Sequence, residues 1–285
     1  MYCLLSTKSQ VSPSEIDDLV INLNAKAVDH YYKGRLGNLR IYINPDGTYC
    51  TKGSIWKYAK GNNITPFSHE DFLATINELD SLTFGTYSLS EVIGYEFGIN
   101  IKTYHDPAHY LGQMVTTKLN NRHIALNPEY KKNDLWVRRS PGSVHRFKCY
   151  NKKLESGINE NLLRLEYFVK NTKMLLGRSL QIEELKSPQF IAKQYKLIKS
   201  FTKELIFSSE YDPTLLSSLK TQDKWRYLAY MNSNIQNPQA FVKSMGFDAN
   251  TKSRENRALM KILSGTNYDH ELRKEIITKA DLLLN

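Results

Sequence analysis

The sequence has few cysteines and no long run of apolar residues. Only 3 cysteines occur among 285 residues, with no CxxC pair and no Cys/His spacing typical of zinc. This predicts a reducing compartment rather than a disulfide framework. No apolar run approaches the roughly 20 residues of a membrane helix, and the first ten residues lack the basic segment of a signal peptide. We therefore expect a soluble, cytoplasmic protein with no membrane partner.

Acidic residues are the scarcer charge class, and internal repeats and low-complexity segments are lacking. The chain has 29 Asp and Glu against 39 Lys and Arg, a formal net charge of +10. Such an excess is typical of proteins that bind phosphate-rich partners, although many basic proteins bind nothing in particular. No segment concentrates the charge as a membrane-surface helix would. Composition thus favours a nucleic-acid partner without establishing one.

The first part of the chain alternates strand-like and helix-like patterns. Helices are predicted after Ser68, which can form a capping box with Asp71, and at Asp106-Pro107. The resulting β-α-β-α-β-β-β order predicts an α+β fold whose antiparallel or mixed sheet carries helices on one face. Strands are predicted at Leu39–Asn44, Tyr49–Tyr58, Val92–Thr103, Leu135–Arg139, Ser143–Tyr150 and Leu162–Val169.

From Lys186 onward, apolar residues recur with the period of a helix. We therefore predict two regions, an α+β domain at residues 1–180 and a helical C-terminal region at residues 181–285 with a role in DNA recognition or regulation. Helices are predicted at Phe190–Phe201, Trp225–Met231, Pro238–Met245, Ser253–Leu263 and His270–Leu283.

One of these C-terminal helices carries a basic face. Arg254, Arg257 and Lys261 are spaced i, i+3 and i+7, so they share one side of the helix and could follow a phosphate backbone. An equally weighted interpretation is a solvated face on a helix that packs through its apolar side.

Three predicted strands concentrate the polar side chains of chemical interest. Side chains alternate between the two faces of a strand, so Glu96 lies on the face opposite to the wholly apolar face of its strand. On the second and third strands, the polar residues of interest are two positions apart and therefore share a face. Side by side in a sheet, these strands would bring the side chains into one open-faced cleft. The residues are Glu96 on the first strand, Arg146, Lys148, Tyr150 and Lys152 on the second, and Arg164 and Glu166 on the third.

A tyrosine, two carboxylates and several cations are the groups that a metal-dependent phosphodiester nickase needs. A phenol, with a pKa of about 10, is a poor nucleophile until a cation stabilises the phenolate. Two carboxylates suit Mg²⁺ or Mn²⁺, hard cations that prefer oxygen ligands. Such an ion would polarise the scissile phosphate.

Each of these residues also has an ordinary structural interpretation. Most of the 18 tyrosines must be structural, and a strand glutamate such as Glu96 is usually solvated or paired with a lysine. His105 and His109 have a spacing that can bind metal, but no third ligand is in view. Composition and spacing alone predict a basic α+β nucleic-acid-binding protein and leave catalysis open.

The order of short motifs resembles the gene II-type replication initiators of filamentous phages and related phage and plasmid initiators. The resemblance covers roughly residues 39–185. Two features depart from the family pattern: no His-hydrophobic-His triplet is present, and Gly94-Tyr95-Glu96 stands where the family has R-x-D. The matching motifs are Gly53–Tyr58 with Gly61-Asn62, Glu96, His109–Gly112, Phe147–Lys152 ending in Y-x-K, and Leu163–Glu166 containing R-x-E.

The resemblance implies an endonuclease fold of the HUH class and a tyrosine nicking enzyme. Tyr150 would be the nucleophile that stays joined to the 5′ phosphate and leaves a 3′-OH for rolling-circle synthesis, with Lys152 beside it. Glu96 and Glu166 would bind Mg²⁺ or Mn²⁺. The partners implied are origin DNA, single-stranded or supercoiled, and helicase and polymerase of a bacterial host. Lys148, Arg164 and Arg146 would contact DNA.

Two other functional classes remain open at this stage. The chain could be a DNA-binding replication or regulatory protein without catalysis, using the same basic face. It could also be an RNA-binding module, because aromatic-rich sheets can stack single-stranded bases.

Overall fold

The computed structural model describes residues 2–119, 122–131, 134–207, 213–233, 238–266 and 271–284. These residues form an α+β fold with a large antiparallel sheet and many helices. The strands are β1 (Tyr2–Gln10), β2 (Ala25–Val28), β3 (Tyr31–Leu36), β4 (Leu39–Ile43), β5 (Thr48–Gly53), β6 (Glu91–Lys102), β7 (Met114–Leu119), β8 (Arg122–Ala125), β9 (Asn127–Lys131), β10 (Asp134–Arg139), β11 (His145–Asn151), β12 (Leu162–Val169) and β13 (Ile206–Phe207).

The helices lie between the strands and dominate the last third of the chain. A short 3₁₀ helix spans Pro13–Glu15. The α-helices are α1 (Ile16–Asn22), α2 (Ile55–Lys60), α3 (His69–Leu82), α4 (Pro107–Gln113), α5 (Lys152–Ser156), α6 (Thr172–Leu176), α7 (Ile182–Leu185), α8 (Pro188–Lys203), α9 (Pro213–Ser218), α10 (Thr221–Met231), α11 (Pro238–Ser244), α12 (Ala249–Thr266) and α13 (Glu271–Leu284).

The chain divides into two compact units, each made of several separate segments. The division into domains at residue 180 stays a prediction. The first unit comprises residues 1–99, 142–146 and 166–196, and the second comprises residues 100–141, 147–165 and 197–285.

In the first unit, the strand order is β2-β3-β4-β5-β1-β6, and each of these neighbours pairs antiparallel. One face of this sheet is buried, where Thr7 Oγ1 and Thr51 Oγ1 share a hydrogen bond of 2.8 Å. On β6, the Phe97 ring lies 5.1 Å from the Tyr195 ring of α8, centroid to centroid. The helix α8 thus packs on the face of β6 opposite to Glu96.

In the second unit, β10 pairs antiparallel with both β9 and β11, and β7 pairs antiparallel with β8 and β13. The helices α10, α11 and α12 enclose a separate apolar core that includes Tyr227, Phe241 and Leu263. No helix among the described residues is long and apolar enough to cross a membrane.

Most predicted elements of the first part are confirmed. The strand Leu162–Val169 has the predicted bounds, and Ser68 and Asp71 form the predicted capping box of α3. Asp106 caps α4 by accepting a hydrogen bond from the Ala108 amide. The hairpin around Pro141-Gly142 is confirmed by the pairing of β10 with β11.

The predicted strand Tyr49–Tyr58 is wrong in its second half, because α2 begins at Ile55. The Ser54 side chain accepts a hydrogen bond from the Lys57 amide, and Gly61 ends the helix in the left-handed conformation with φ 71°. The β-α-β-α-β-β-β order is also incomplete, because β1, β2, β3, β7, β8 and β9 were not recognised from the sequence.

Candidate functional site

Tyr150 lies near the end of β11 in the second unit. Its side chain is only 8% exposed, directly opposite Val137 of β10. The Trp136 ring meets the Tyr150 ring edge-on with centroids 6.1 Å apart. The Tyr150 side chain is therefore packed within the protein rather than on an open sheet surface.

The sequence pattern predicts that Lys152 continues the strand face of Tyr150, and this is wrong. The strand β11 ends at Asn151, whose side chain caps α5 by accepting a hydrogen bond from the Leu154 amide at 2.9 Å. Lys152 is the first residue of that helix and is fully buried, with its ammonium paired to the Glu155 carboxylate. The same ammonium lies 5.9 Å from the centroid of the Tyr150 ring. A buried cation thus stands beside the candidate nucleophile, but it reaches this position through a helix start.

Arg164 is fully buried on β12, and its Nη1 atom donates a hydrogen bond of 2.7 Å to Asn100 Oδ1 on β6. Because these two side chains are hydrogen-bonded, Arg164 of β12 and Asn100 of β6 lie on the same side of the sheet. Because side chains alternate along a strand, Glu166 shares the face of Arg164, and Glu96 shares the face of Asn100. The two acids therefore point to the same side of the sheet, opposite to α8.

The two carboxylates differ in their exposure. Glu166 is 3% exposed, whereas Glu96 is partly exposed, and both belong to the first unit. No cluster of three or more His, Cys, Asp or Glu side chains suited to a metal ion occurs among the described residues. Mg²⁺ commonly uses one or two protein carboxylates and takes its other ligands from phosphate and water, so the type of these two donors suits that ion.

Two further predicted DNA contacts lie on β11. The Arg146 guanidinium stacks over the Phe168 ring, with Cζ 4.8 Å from the ring centroid. Lys148 stands directly opposite Arg139 of β10, and both side chains are half-buried. The Arg139 guanidinium is paired with the Glu129 carboxylate, with Nη2 2.5 Å from Oε2, so its charge is offset locally.

The open-faced cleft expected from the sequence is wrong. Tyr150, Lys152, Arg164 and Glu166 are all buried. Two partners were also missed: Glu155, which pairs with Lys152, and Asn100, which holds Arg164. The spacing of Glu155 from Lys152 on a helix was the available signal for the first.

His105 and His109 lie close together, with ring centroids 5.2 Å apart, at the start of α4. The Nε2 atom of His109 is 3.3 Å from Nε2 of Gln113. Among the described residues, no His, Cys, Asp or Glu side chain forms a three-ligand metal cluster with this pair.

The three cations of α12 lie on its solvent-exposed side, as their spacing along the helix indicated. Arg254, Arg257 and Lys261 are exposed, while Leu259 and Leu263 pack into the helical core. Arg254 keeps only a long contact of 3.8 Å from Nε to Glu255 Oε1. Both interpretations of this helix are compatible with that arrangement, because a packed helix can also present cations to DNA.

If the exposed cations of α12 bind DNA, changing Arg254, Arg257 and Lys261 together to Gln should weaken duplex binding and lower the salt slope by up to about three phosphate contacts, or roughly 2.7. Fluorescence anisotropy across a salt series measures both quantities. An unchanged slope would leave this helix a purely structural role.

No protein-family model and no curated protein matches the chain significantly. Among solved structures, the chain is similar to one described as the rolling circle replication initiator protein from Geobacillus stearothermophilus, at 10% identity. The match covers 79% of this chain and 91% of that chain with a TM-score of 0.35. A similarity this distant assigns no functional residue to this chain.

Proposed function

We propose that this protein initiates rolling-circle replication by nicking one strand of DNA with Tyr150 as a covalent nucleophile. The observation that carries the proposal is the pair formed by Tyr150 and Lys152. Their Y-x-K spacing places a buried ammonium 5.9 Å from the phenol ring. We infer that this ammonium, which also pairs with the Glu155 carboxylate, would offset the negative charge of a phenolate on Tyr150.

Two other buried tyrosines of the sheet have a pKa raised by burial. Burial raises the pKa of Tyr167 on β12 to about 12. Burial also raises the pKa of Tyr95 on β6, where the hydroxyl donates to Gln194 Oε1 at 3.1 Å. A raised pKa makes each of these two phenols harder to ionise than an exposed tyrosine.

The proposed reaction exchanges one phosphodiester for another. The Tyr150 oxygen attacks the scissile phosphorus and loses its proton, and the bond from phosphorus to the 3′ oxygen breaks. That oxygen takes up a proton and becomes the 3′-OH, while the 5′ phosphate stays on the tyrosine. Helicase and polymerase of the host would then unwind and extend the nicked strand.

Glu96 and Glu166 would hold Mg²⁺ or Mn²⁺, and Lys148, Arg164 and Arg146 would contact DNA. When bound, the ion would offset charge that grows on the phosphorane. Because Tyr150 is 8% exposed, the proposal also requires a conformational step that opens the site to DNA.

The acids can be tested separately from the nucleophile. Glu96→Gln and Glu166→Gln keep the side-chain shape but weaken coordination of a hard cation. Each should raise the metal concentration for half-maximal nicking by about tenfold or more, since even residues behind the direct ligands commonly contribute that much.

The matched control is Glu91→Gln on the same strand. The Glu91 carboxylate accepts a hydrogen bond of 2.7 Å from Ser179 Oγ and has no proposed role in metal binding. Metal titrations of nicking that are identical for all three variants would remove Glu96 and Glu166 from the proposed site.

A DNA-binding replication or regulatory protein without catalysis is the second candidate, and the burial of Tyr150 and Lys152 favours it. One experiment separates the two functions. The protein is incubated with supercoiled DNA of its own replicon and Mg²⁺ or Mn²⁺, and nicked circles carrying bound protein are sought. Nicked circles with attached protein support the enzyme, and binding with no nick supports the second candidate.

A further inference from the structure

The first five strands carry basic side chains and no acidic ones. The segments YCLLSTKSQ, AKAV, YYKGRL, LRIYI and TYCTKG contain no Asp or Glu. All five belong to the first unit. Their cations are Lys8, Lys26, Lys33, Arg35, Arg40 and Lys52.

The pairing register places all six cations on one face of the sheet. Directly opposed residues of antiparallel strands point to the same side. Arg35 opposes Arg40, and Arg40 opposes Lys52, which in turn opposes Ser6. A second row runs in parallel through Lys26, Lys33, Tyr42, Cys50 and Lys8.

This face is open to solvent, and the opposite face is the buried one. All six basic side chains are exposed. On the other face, Ile41 and Ile43 are buried, and Thr51 shares a hydrogen bond with Tyr87 at 3.1 Å. The basic residues therefore form one exposed surface, which we call the basic face.

The arrangement works against folding stability. Like charges directly opposite each other in a sheet are destabilising. Among the described residues, none of the six cations forms an ion pair, and Arg35 Nε donates instead to the Gly37 carbonyl at 2.9 Å. Carboxylates lie at the margins, with Glu91 opposite Lys8, Asp29 in the turn between β2 and β3, and Asp46 in the turn before β5. An anionic ligand would relieve this repulsion.

Two aromatic rings lie on the same face as the cations. Tyr31 and Tyr42 are half-buried, with ring centroids 6.2 Å apart and an angle of 44° between the planes. Surfaces that bind single-stranded nucleic acid combine cations for the backbone with aromatic rings on which bases stack. A duplex keeps its bases stacked inside and offers none to such rings.

We propose that the basic face binds a segment of single-stranded DNA, with Arg35, Arg40 and Lys52 on its phosphates and the two tyrosines against its bases. This inference rests on the proposed function and names the strand-holding surface of the same reaction. The row from Arg35 to Lys52 continues through Ser6 to Gly94 of β6, and Glu96 lies two residues further on that face. A strand held here is directed along the sheet toward a proposed metal ligand.

The test measures binding of a 20-nucleotide oligothymidine to the full chain by fluorescence anisotropy, in EDTA so that metal-dependent nicking cannot contribute. Changing Arg35, Arg40 and Lys52 together to Gln should lower the affinity. The slope of log affinity against log salt should fall by about 2, since each phosphate contact with a single strand contributes roughly 0.7. The melting temperature should stay equal or rise, because the opposed like charges are removed.

The matched control changes Lys173, Lys193 and Lys196, exposed residues of the helices α6 and α8 in the first unit, to Gln. It removes the same charge elsewhere and should leave the slope nearly unchanged. Equal losses in both triple variants, or no loss in the first, would overturn the proposal. So would a loss confined to a 20-base-pair duplex probe, because that result assigns the face to duplex DNA.

The tyrosines are tested with the same probe. Tyr31→Leu with Tyr42→Leu should weaken binding by about tenfold or more without changing the salt slope, because stacking carries no counterion release. The Tyr150→Phe variant must bind as the unaltered chain does, so a failure of nicking chemistry leaves this readout intact.

Discussion

Replacing Tyr150 with Phe should abolish both nicking and the covalent protein–DNA adduct while leaving DNA binding in place. The substitution keeps the ring that packs against Trp136 and removes the only atom that can bond to phosphorus. Nicking is measured as conversion of supercoiled DNA to open circles, and the adduct is measured by its retarded migration under denaturing conditions. Both signals should fall below detection.

The matched control is Tyr167→Phe, which removes a hydroxyl from another buried tyrosine of the sheet. Its phenol, with a pKa raised to about 12 by burial, has no proposed part in the reaction. We expect it to nick at a rate close to that of the unaltered chain. A covalent adduct that still forms with Tyr150→Phe would exclude Tyr150 as the nucleophile.

The sequence predicted those parts of the fold where local chemistry and hydrophobic period agree. The strand Leu162–Val169 and the capping box of Ser68 with Asp71 are examples, since each depends on residues close together in the chain. The strand β1 was missed because it pairs only with distant segments, β5 and β6. The strands β2 and β3 form a local hairpin, but almost none of their side chains is buried, so they lack an apolar alternation. Their basic face becomes visible only once the register aligns Arg35, Arg40 and Lys52.

The candidate site was predictable in its residue types but not in its environment. Alternation placed Glu96 and Glu166 on the same side of the sheet, and the hydrogen bond between Arg164 and Asn100 agrees with that. The burial of Tyr150 could not be inferred, because it depends on Trp136 and other residues brought in from elsewhere. The helix start at Lys152 overrode the strand pattern once Asn151 supplied a cap.

Removing the Glu155 carboxylate should strongly destabilise the protein. The Lys152 side chain is fully buried, and it occupies the first position of α5, where the helix dipole disfavours a cation. Glu155→Gln takes away its paired charge. Loss of one partner of a buried pair costs about 3–5 kcal/mol, and because Glu155 is a quarter exposed we expect about 2–3 kcal/mol here. Urea unfolding, with the midpoint and slope compared to the unaltered chain, measures the change.

Replacing the other partner of this ion pair, Lys152, should destabilise the protein less, and this provides the internal control. Lys152→Met keeps the aliphatic volume and leaves Glu155 a carboxylate that water can reach, so we expect a loss of about 1 kcal/mol. The double variant should then be more stable than Glu155→Gln alone, because no buried charge remains without its partner. Additive losses would mean that the pair does not interact. If Lys152 also stabilises the Tyr150 phenolate, Lys152→Met should slow nicking while the fold persists, and raising the pH should restore part of the rate by ionising the phenol without its help.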